Sequence, residues 1–409
     1  MMTRLTLSCI AVLAVSLAIC ADEPKPTKRG VVVVSDEARR IHDSAIVVDG
    51  HNDLPWMVRS RGKLDFVNLD ISKPQPRLHT DIARLRAGGV GCQFWSAFVP
   101  VSTIKEGTAV RKTIEQIDII RRMVRRYPET FALCGTVDEV TTARKAGKIA
   151  SIIGVEGGHS IDESLGVLRS FYDLGVRYMT LTHTESLSWA DSCADQPKAH
   201  GLSPFGEQVV AEMNRLGMLV DISHVSAETM KHVLRVTKAP VIASHSSAYA
   251  IANHARNVPD DVLRLVAANG GVVMVNFYPG FILPEGARAM EEQTKQYREL
   301  RKKYADDDQR LEDALAQFRK EHPSPRGSVH TVVDHIDHIV KVAGIDHVGL
   351  GSDYDGIGAV PEQLDDVSKY PVITQVLLDR GYTADQIRKV LGGNALRALK
   401  RAEEVAAGR

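Results

Sequence analysis

The chain has 409 residues, of which 44% are hydrophobic and 25% charged, the composition of an ordinary globular protein. Its 51 basic residues balance its 51 acidic residues, so no net charge favours a nucleic-acid partner, and we exclude that class. The few cysteines show no CxxC spacing, which argues against a disulfide framework and against a zinc-thiolate centre.

The first 21 residues have the pattern of a secretory signal peptide. Arg4 precedes an apolar run over residues 5–21, and a polar stretch follows it. We therefore predict an exported, periplasmic protein with a linker over residues 22–38 and one domain over residues 39–405. Two alternatives stay open: a retained membrane anchor, or a lipoprotein of the bacterial cell envelope. In the second, "LAIC" at 17–20 is the processing box and Cys20 carries the lipid.

Eight short, nearly continuous apolar runs predict strands that are buried on both faces, as in a parallel sheet. They lie at residues 45–53, 90–98, 150–157, 176–183, 218–224, 240–245, 270–277 and 347–353. Helical patterns separate them, so we predict an α/β fold, a single (β/α)8 TIM barrel. A doubly wound open sheet is the alternative, but no glycine-rich phosphate loop follows the first run.

Helical periodicity is clearest over residues 109–127, 206–217 and 226–237, and Ser226 suits the start of the third helix. A highly charged segment over residues 287–323 has a helical pattern but does not fit the barrel repeat. We interpret it as a helical insertion on the rim with a solvated face. A substrate lid or a contact in a homodimer is the alternative role.

Polar side chains stand at the ends of the predicted strands, where barrels of this kind carry their active sites. His51 and Asp53 end the first strand, and their i, i+2 spacing aims both side chains inward while Asn52 points away. A turn is the simpler interpretation of this stretch taken alone. Further strands end in the same manner, with Glu156, His183, His224, His245 and Asp353.

Three histidines and two carboxylates on four strands suit a hard or borderline divalent cation such as Zn²⁺ or Mn²⁺. Five ligands are too many for one tetrahedral ion and too few for two separate closed sites. A bridging Glu156 resolves the count: one ion binds His51, Asp53 and Glu156, the other Glu156, His224 and His245. Two such ions deprotonate a bridging water, and the resulting hydroxide attacks a carbonyl carbon.

Hydrolysis of an amide also needs a proton for the leaving amine and a group that steadies the oxyanion. Asp353 is our candidate for the acid and base, and a turn aspartate is the alternative. His183 and Arg256 are candidates for substrate contacts, although a surface position suits Arg256 equally well. The pair His335 and His338 lies one helical turn apart and is expected on an exposed helix face.

Six blocks of the sequence resemble the renal, or membrane, dipeptidase family of zinc peptidases. The longest is "VEGGHSIDESLGVLRSFYDLGVRYMTLTH" at 155–183, which is similar to that family's signature along its whole length. "DGHNDLPW" (49–56), "DISH" (221–224), "SHSSAYAIANHARNVPD" (244–260), "VMVNFYPGF" (273–281) and "GLGSDYDG" (349–356) follow the family's order. The resemblance spans roughly residues 40–400.

The resemblance implies a dipeptidase that hydrolyses small dipeptides, often with a D-residue at the C-terminal position, at two zinc ions. It implies the five ligands named above, His183 and Arg256 as substrate contacts, Asp353 as acid and base, and Trp56 and Tyr278 lining the pocket. Some members open β-lactam rings, so another binuclear amidohydrolase acting on a small amide or a β-lactam is the alternative function. A catalytically dead binding protein is the remaining rival, but no expected ligand is missing.

Overall fold

Eight parallel strands close into a barrel in the computed structural model, which describes residues 29–304, 307–323 and 325–408. Each strand of the ring pairs with two neighbours, and β9 pairs with β1 to complete it. The ring consists of Val47–Asn52 (β1), Val90–Phe98 (β2), Ile149–Glu156 (β4), Val176–Thr180 (β5), Leu219–Asp221 (β6), Ile242–Ala243 (β7), Val272–Val275 (β8) and Val348–Leu350 (β9). The predicted (β/α)8 barrel and its eight strands are thus confirmed.

One further strand, Phe131–Leu133 (β3), pairs with the start of β4 and was not predicted. Three residues are too few to show a periodicity of their own. The strands of the ring are buried along almost their whole length, as in β4, where every residue is buried. Such burial on both faces is what the continuous apolar runs indicated.

Helices surround the ring, and several of them begin at a side-chain cap. Ser226 caps its helix as predicted, because its hydroxyl accepts a hydrogen bond from the Thr229 amide at 3.2 Å. The α-helices span Asp36–Ser44 (α1), Leu54–Ser60 (α2), Ile82–Ala87 (α3), Ser102–Lys105 (α4), Ala109–Arg126 (α5), Val137–Lys145 (α6), Leu165–Asp173 (α7), Pro204–Leu216 (α8), Ala227–Val236 (α9), Asp260–Asn269 (α10), Pro279–Ile282 (α11), Pro284–Lys303 (α12), Asp308–Glu321 (α13), Val329–Ala343 (α14), Tyr370–Asp379 (α15), Ala384–Arg388 (α16) and Asn394–Ala406 (α17).

The charged insertion is helical, as predicted, and forms α12 and α13. It follows directly on α11, a short helix that begins after Tyr278 at the carboxyl end of the barrel. The insertion therefore joins the barrel next to the strand ends on which the site depends.

The expectation for the histidine pair on α14 is wrong for His335. This residue is completely buried: its Nδ1 accepts a hydrogen bond from the Ala248 amide, and its Nε2 donates one to the Ile282 carbonyl, both at 3.0 Å. His338 is half-buried and pairs with Asp260 at 2.7 Å. Periodicity assigned the two to one face, but it cannot show that α14 is covered by α10 and by the loop after β7.

The barrel and its helices belong to the unit formed by residues 31–409. The predicted signal peptide at 1–21, including Cys20, lies outside the described residues, so that prediction and the domain boundaries stand as predictions. Within the described ranges, no helix has both the length and the apolar character needed to cross a membrane.

Candidate metal centre

The polar residues predicted at the strand ends meet at the carboxyl face of the barrel. His51 lies in β1 and Asp53 directly follows it, while Glu156 is the last residue of β4. His224 and His245 follow β6 and β7 by a few residues each. Because all strands of the ring run parallel, their ends open onto the same side of the sheet.

Glu156 is the centre of the cluster. Its Oε1 lies 3.1 Å from His224 Nε2 and 3.3 Å from His245 Nε2, and its Oε2 lies 3.5 Å from His51 Nε2. Asp53 Oδ2 is 3.2 Å from His51 Nε2. One carboxylate oxygen therefore faces one histidine pair, and the other faces the His51 and Asp53 side.

The atoms at the centre are arranged as ligands that converge on a cation. The Nε2 atoms of His224 and His245 approach each other to 3.0 Å. His51 Nε2 and Asp53 Oδ1 are buried and have no well-formed hydrogen bond to any described residue. Buried polar atoms are normally satisfied, so these orphans indicate a missing partner. The nitrogen and oxygen donors fit a divalent metal ion of the Zn²⁺ type.

The electrostatics of two of the clustered histidines agree with this interpretation. Burial, with smaller contributions from neighbouring cations such as Arg256, holds the pKa of both His224 and His245 well below the usual value. These two rings are therefore neutral at physiological pH, which is the form that binds metals. His51 differs: burial lowers its pKa, but Tyr178, Glu156 and Asp53 outweigh that effect and hold it well above the usual range.

His183 stands at the edge of the cluster. Its Nε2 is 3.9 Å from Glu156 Oε1, and its ring lies 4.4 Å from that of His224. Its ligand atom also groups with those of Glu156 and His224 within 4.8 Å. Geometry alone therefore makes His183 a potential ligand as well as the substrate contact that the sequence predicted.

Asp353 follows β9 and lies beside the cluster. Its Oδ2 accepts a hydrogen bond from Asn276 Nδ2 at 2.9 Å, and its backbone is in the left-handed region with a φ of 64°. Burial, assisted by the charges of Asp53 and Glu156 and partly opposed by His51, raises the pKa of Asp353 to about 7. A carboxyl group with this pKa can both accept and donate a proton near neutral pH.

Arg256 is not a surface cation, so that alternative is wrong. Only 2% of the residue is exposed, and Nη1 donates to Ser246 Oγ at 2.6 Å. Nε and Nη2 have no hydrogen-bond partner among the residues that the structure describes. A buried guanidinium with two open donors is suited to an anionic group of a ligand.

A cavity of about 390 Å³ opens over the cluster. Asp353 and His183 contribute to its walls, and so do the aromatic residues Trp56 and Tyr278. Arg256 is not among the lining residues; it contacts Phe281, which is, at 5.6 Å from the ring centroid. A larger cavity, about 660 Å³ and lined in part by Ile104, Ile114 and Trp189, lies apart from the five clustered residues. The chemistry of the cluster, rather than cavity size, locates the site.

The sequence did not single out Asn276, Phe98 or Phe281, which support or line the same site. Asn276 follows β8 directly, so the rule that selected the other strand ends would have found it. The two phenylalanines carry no polar signal, and their position on the cavity wall depends on loop conformation.

Together, the fold and the cluster define a (β/α)8-barrel protein with a candidate metal centre at the carboxyl ends of its strands. The family model for membrane dipeptidases, peptidase family M19, matches residues 35–409. The chain belongs to this family of metallopeptidases.

Solved structures share the fold at low sequence identity. The probable dipeptidase PvdM of Pseudomonas aeruginosa is 24% identical, with a TM-score of 0.77 over 90% of this chain and 98% of that one. A dipeptidase AC, a metallopeptidase of family M19, is also 24% identical, with a TM-score of 0.71 over 88% and 99%. A metallopeptidase of Rhodobacter sphaeroides, bound to a phosphinate mimic of the dipeptide L-Ala-D-Ala, is 24% identical, with a TM-score of 0.70 over 88% and 100%.

Proposed function

We propose that this protein is a binuclear zinc dipeptidase that hydrolyses dipeptides, including those with a D-residue at the C-terminal position. The observation that carries the proposal is the position of Glu156 between the His51 and Asp53 side and the His224 and His245 pair. Membership in the family supports the reaction class. The bound dipeptide mimic in the Rhodobacter sphaeroides relative supports the substrate class.

The five clustered residues are proposed to hold two Zn²⁺ ions, with Glu156 shared between them. When bound, the ions would supply a water of lowered pKa as the nucleophile and would polarise the scissile carbonyl. The remaining work falls to the chain itself. Asp353 takes a proton from the attacking water and returns it to the leaving amine, and Asn276 holds the carboxylate in place for both transfers.

The substrate is proposed to be held at its ends and at its reacting carbonyl. The two open donors of Arg256 pair with the C-terminal carboxylate, and His183 donates a hydrogen bond to the oxyanion. Burial lowers the pKa of His183 and keeps the ring neutral, as a donor to an oxyanion beside two cations should be. Trp56 and Tyr278 form apolar walls of the pocket around the two side chains of the dipeptide substrate.

Metal analysis combined with a dipeptide panel tests this function. The purified protein should contain about two zinc ions per chain and cleave dipeptides of either chirality at the second residue. A chelator should abolish the cleavage, and added Zn²⁺ should restore it. Full activity in a metal-free preparation would refute the mechanism, whereas hydrolysis of cyclic amides or β-lactams alone would favour the alternative amidohydrolase.

The acid and base role has its own test in Asp353→Asn. An amide keeps the hydrogen-bonding shape but cannot shuttle a proton, so kcat should fall at least about 100-fold. Zinc content should stay at the wild-type level. Wild-type turnover in this variant would show that another group moves the proton.

We propose that the protein is located in the periplasm or on the surface of the cell envelope, because residues 1–21 have the pattern of a signal peptide. Mass spectrometry of the mature N-terminus, with cell fractionation, distinguishes a cleaved signal peptide from a lipid on Cys20 and from an uncleaved anchor. Sedimentation of the purified protein tests the homodimer.

A further inference from the structure

Asp221, the last residue of β6, is completely buried close to the metal centre but is not one of its candidate ligands. Its Oδ1 accepts hydrogen bonds from the backbone amides of Ser223 at 3.0 Å and Ser244 at 2.8 Å. Its Oδ2 accepts from the hydroxyls of Thr180 at 2.5 Å and Ser244 at 2.6 Å. Both carboxylate oxygens therefore act as acceptors only.

The Ser244 hydroxyl connects this carboxylate to a candidate ligand. Ser244 Oγ lies 2.7 Å from His245 Nδ1, while the other ring nitrogen, Nε2, faces Glu156 Oε1. A serine hydroxyl has one hydrogen to donate. Because Asp221 Oδ2 receives that hydrogen, Ser244 Oγ must be the acceptor towards His245, and Nδ1 must carry the ring proton.

We propose that Asp221 and Ser244 are positioning residues that fix His245 in the tautomer protonated on Nδ1, so that Nε2 presents its lone pair to a metal ion. We call the hydrogen bonds from Asp221 through Ser244 to His245 the relay. This inference rests on the proposed function, because the relay has this role only if His245 binds zinc. Hydrogen bonds behind a ligand histidine orient the ring and raise its basicity. Here the orienting carboxylate acts through a hydroxyl rather than by direct contact.

The relay predicts an unusual effect of Asp221→Asn. The backbone amides of Ser223 and Ser244 can only donate, so the amide oxygen of the asparagine must stay at the Oδ1 position. Its NH2 group then faces Ser244 Oγ and donates to it. The Ser244 hydrogen has then lost its carboxylate acceptor, and His245 Nδ1 is the other side-chain partner of Ser244 Oγ, so the hydroxyl donates to Nδ1. The ring proton moves to Nε2, where it points at the metal position. The substitution reverses the tautomer without removing a ligand.

The test measures zinc affinity rather than turnover. Metal-free wild type, Asp221→Asn, Ser244→Ala and Thr180→Val are each titrated with Zn²⁺ against a chromophoric chelator, and their thermal unfolding is recorded without metal. Asp221→Asn should weaken one of the two zinc sites about 10–100-fold. Ser244→Ala frees the ring to adopt either tautomer, so its loss should be smaller.

Thr180→Val is the matched control, because it removes another hydroxyl donor from the same Asp221 oxygen but leaves the relay intact. Its zinc affinities should stay within about threefold of wild type. If Asp221→Asn binds zinc at both sites with wild-type affinity, this inference is overturned while the proposed function stands. If Asp221→Asn does not fold, the same result in Ser244→Ala overturns it. An equal loss in Thr180→Val and Asp221→Asn overturns it too, since it indicates a packing role. A wild-type protein that binds fewer than two zinc ions overturns the proposed function and this inference together.

Discussion

Gly356 shows how tightly single residues are packed around the site. A Cβ atom built at this position would lie 2.2 Å from Asp53 Oδ2 and 2.7 Å from Asp353 Oδ1. Both distances are far below van der Waals contact, and the neighbours are the carboxylates on which the proposed chemistry depends. Only glycine lets the loop after β9 pass this close to them.

Gly356→Ala should therefore displace the candidate ligand Asp53 and the proposed acid Asp353 together. We expect zinc content to fall and kcat/KM to drop at least about 100-fold, since a misplacement of about 1 Å is enough for such a loss. The control is Gly358→Ala in the same loop, where an added Cβ meets no atom within 4 Å. It should stay within about threefold of wild type. Equal behaviour of the two variants would contradict the crowding argument.

Arg256→Met tests the carboxylate contact at the same scale. Truncating one partner of a buried charge pair costs roughly 2–5 kcal/mol, so kcat/KM for free dipeptides should fall about 30-fold or more. The C-terminal amide of the same dipeptide is the control substrate, because it offers no carboxylate to Arg256. Similar losses on acid and amide would assign Arg256 to the support of the loop instead.

The sequence was informative at this scale where chemistry and chain position agreed. His51 and Asp53 stood out because polar residues rarely end so apolar a run, and the same reasoning reached Glu156, His224 and His245. The roles of Ser244 and Asp221 could not be read in this way. A serine and an aspartate near a strand end are common, and only their distances to His245 and to each other reveal the relay.

At the scale of elements, α14 connects three parts of the molecule through His335. The imidazole of His335 links the loop after β7, which carries Arg256, to α11, which carries Phe281. Burial lowers the pKa of His335 to about 4. The hydrogen bond to Ile282 opposes this shift, and His338 adds a smaller lowering effect. The folded protein therefore holds this histidine neutral at pH values where an unfolded chain would protonate it.

This difference gives a pH-dependent stability of known sign. The folded pKa lies below the unfolded value of about 6.5, so the contribution is complete above that pH and is lost as the pH falls towards about 4. Between about pH 7.5 and pH 5 the loss amounts to about 2 kcal/mol. Urea unfolding of wild type and His335→Gln at both pH values isolates it: the variant should lose about 2 kcal/mol less. Equal losses would show that another group titrates.

Elements were predicted well where they are long or strongly apolar. The eight barrel strands and the helices at 109–126 and 227–236 follow from periodicity and capping alone. The burial of α14 did not, because its covering surfaces come from distant parts of the chain. Neither did β3, whose three residues pair with a strand that the barrel already uses.

At the scale of the whole molecule, the carboxyl end of the barrel concentrates buried negative charge. Asp53, Glu156 and Asp221 are all at least nine-tenths buried, and burial raises the pKa of two further carboxyl groups beside them, Asp49 and Asp353. Charges of one sign repel each other strongly in a medium of low dielectric constant. Two divalent cations would offset most of this repulsion, so the folded state should depend on metal.

Removal of metal should therefore destabilise the entire domain. With free Zn²⁺ at about 1,000 times the dissociation constant, each site adds about 4 kcal/mol to the free energy of unfolding. Urea unfolding with and without a chelator measures the difference. Glu156→Gln, which weakens both sites, should respond much less to the chelator. Identical unfolding curves for wild type in the two conditions would argue against a metal that binds only the folded protein.

The junction of β1 and β9 joins parts of the chain that are about 300 residues apart. Asp49 in β1 accepts hydrogen bonds from the amide and the hydroxyl of Ser352, at 2.7 Å and 2.8 Å. The Asp353 amide donates to the His51 carbonyl at 3.2 Å. All five candidate ligands therefore precede the proposed acid, Asp353, by more than 100 residues in the chain. Under the proposed mechanism, closure of the barrel between β1 and β9 brings Asp353 to the five candidate ligands, so activity should appear only after the whole barrel has folded.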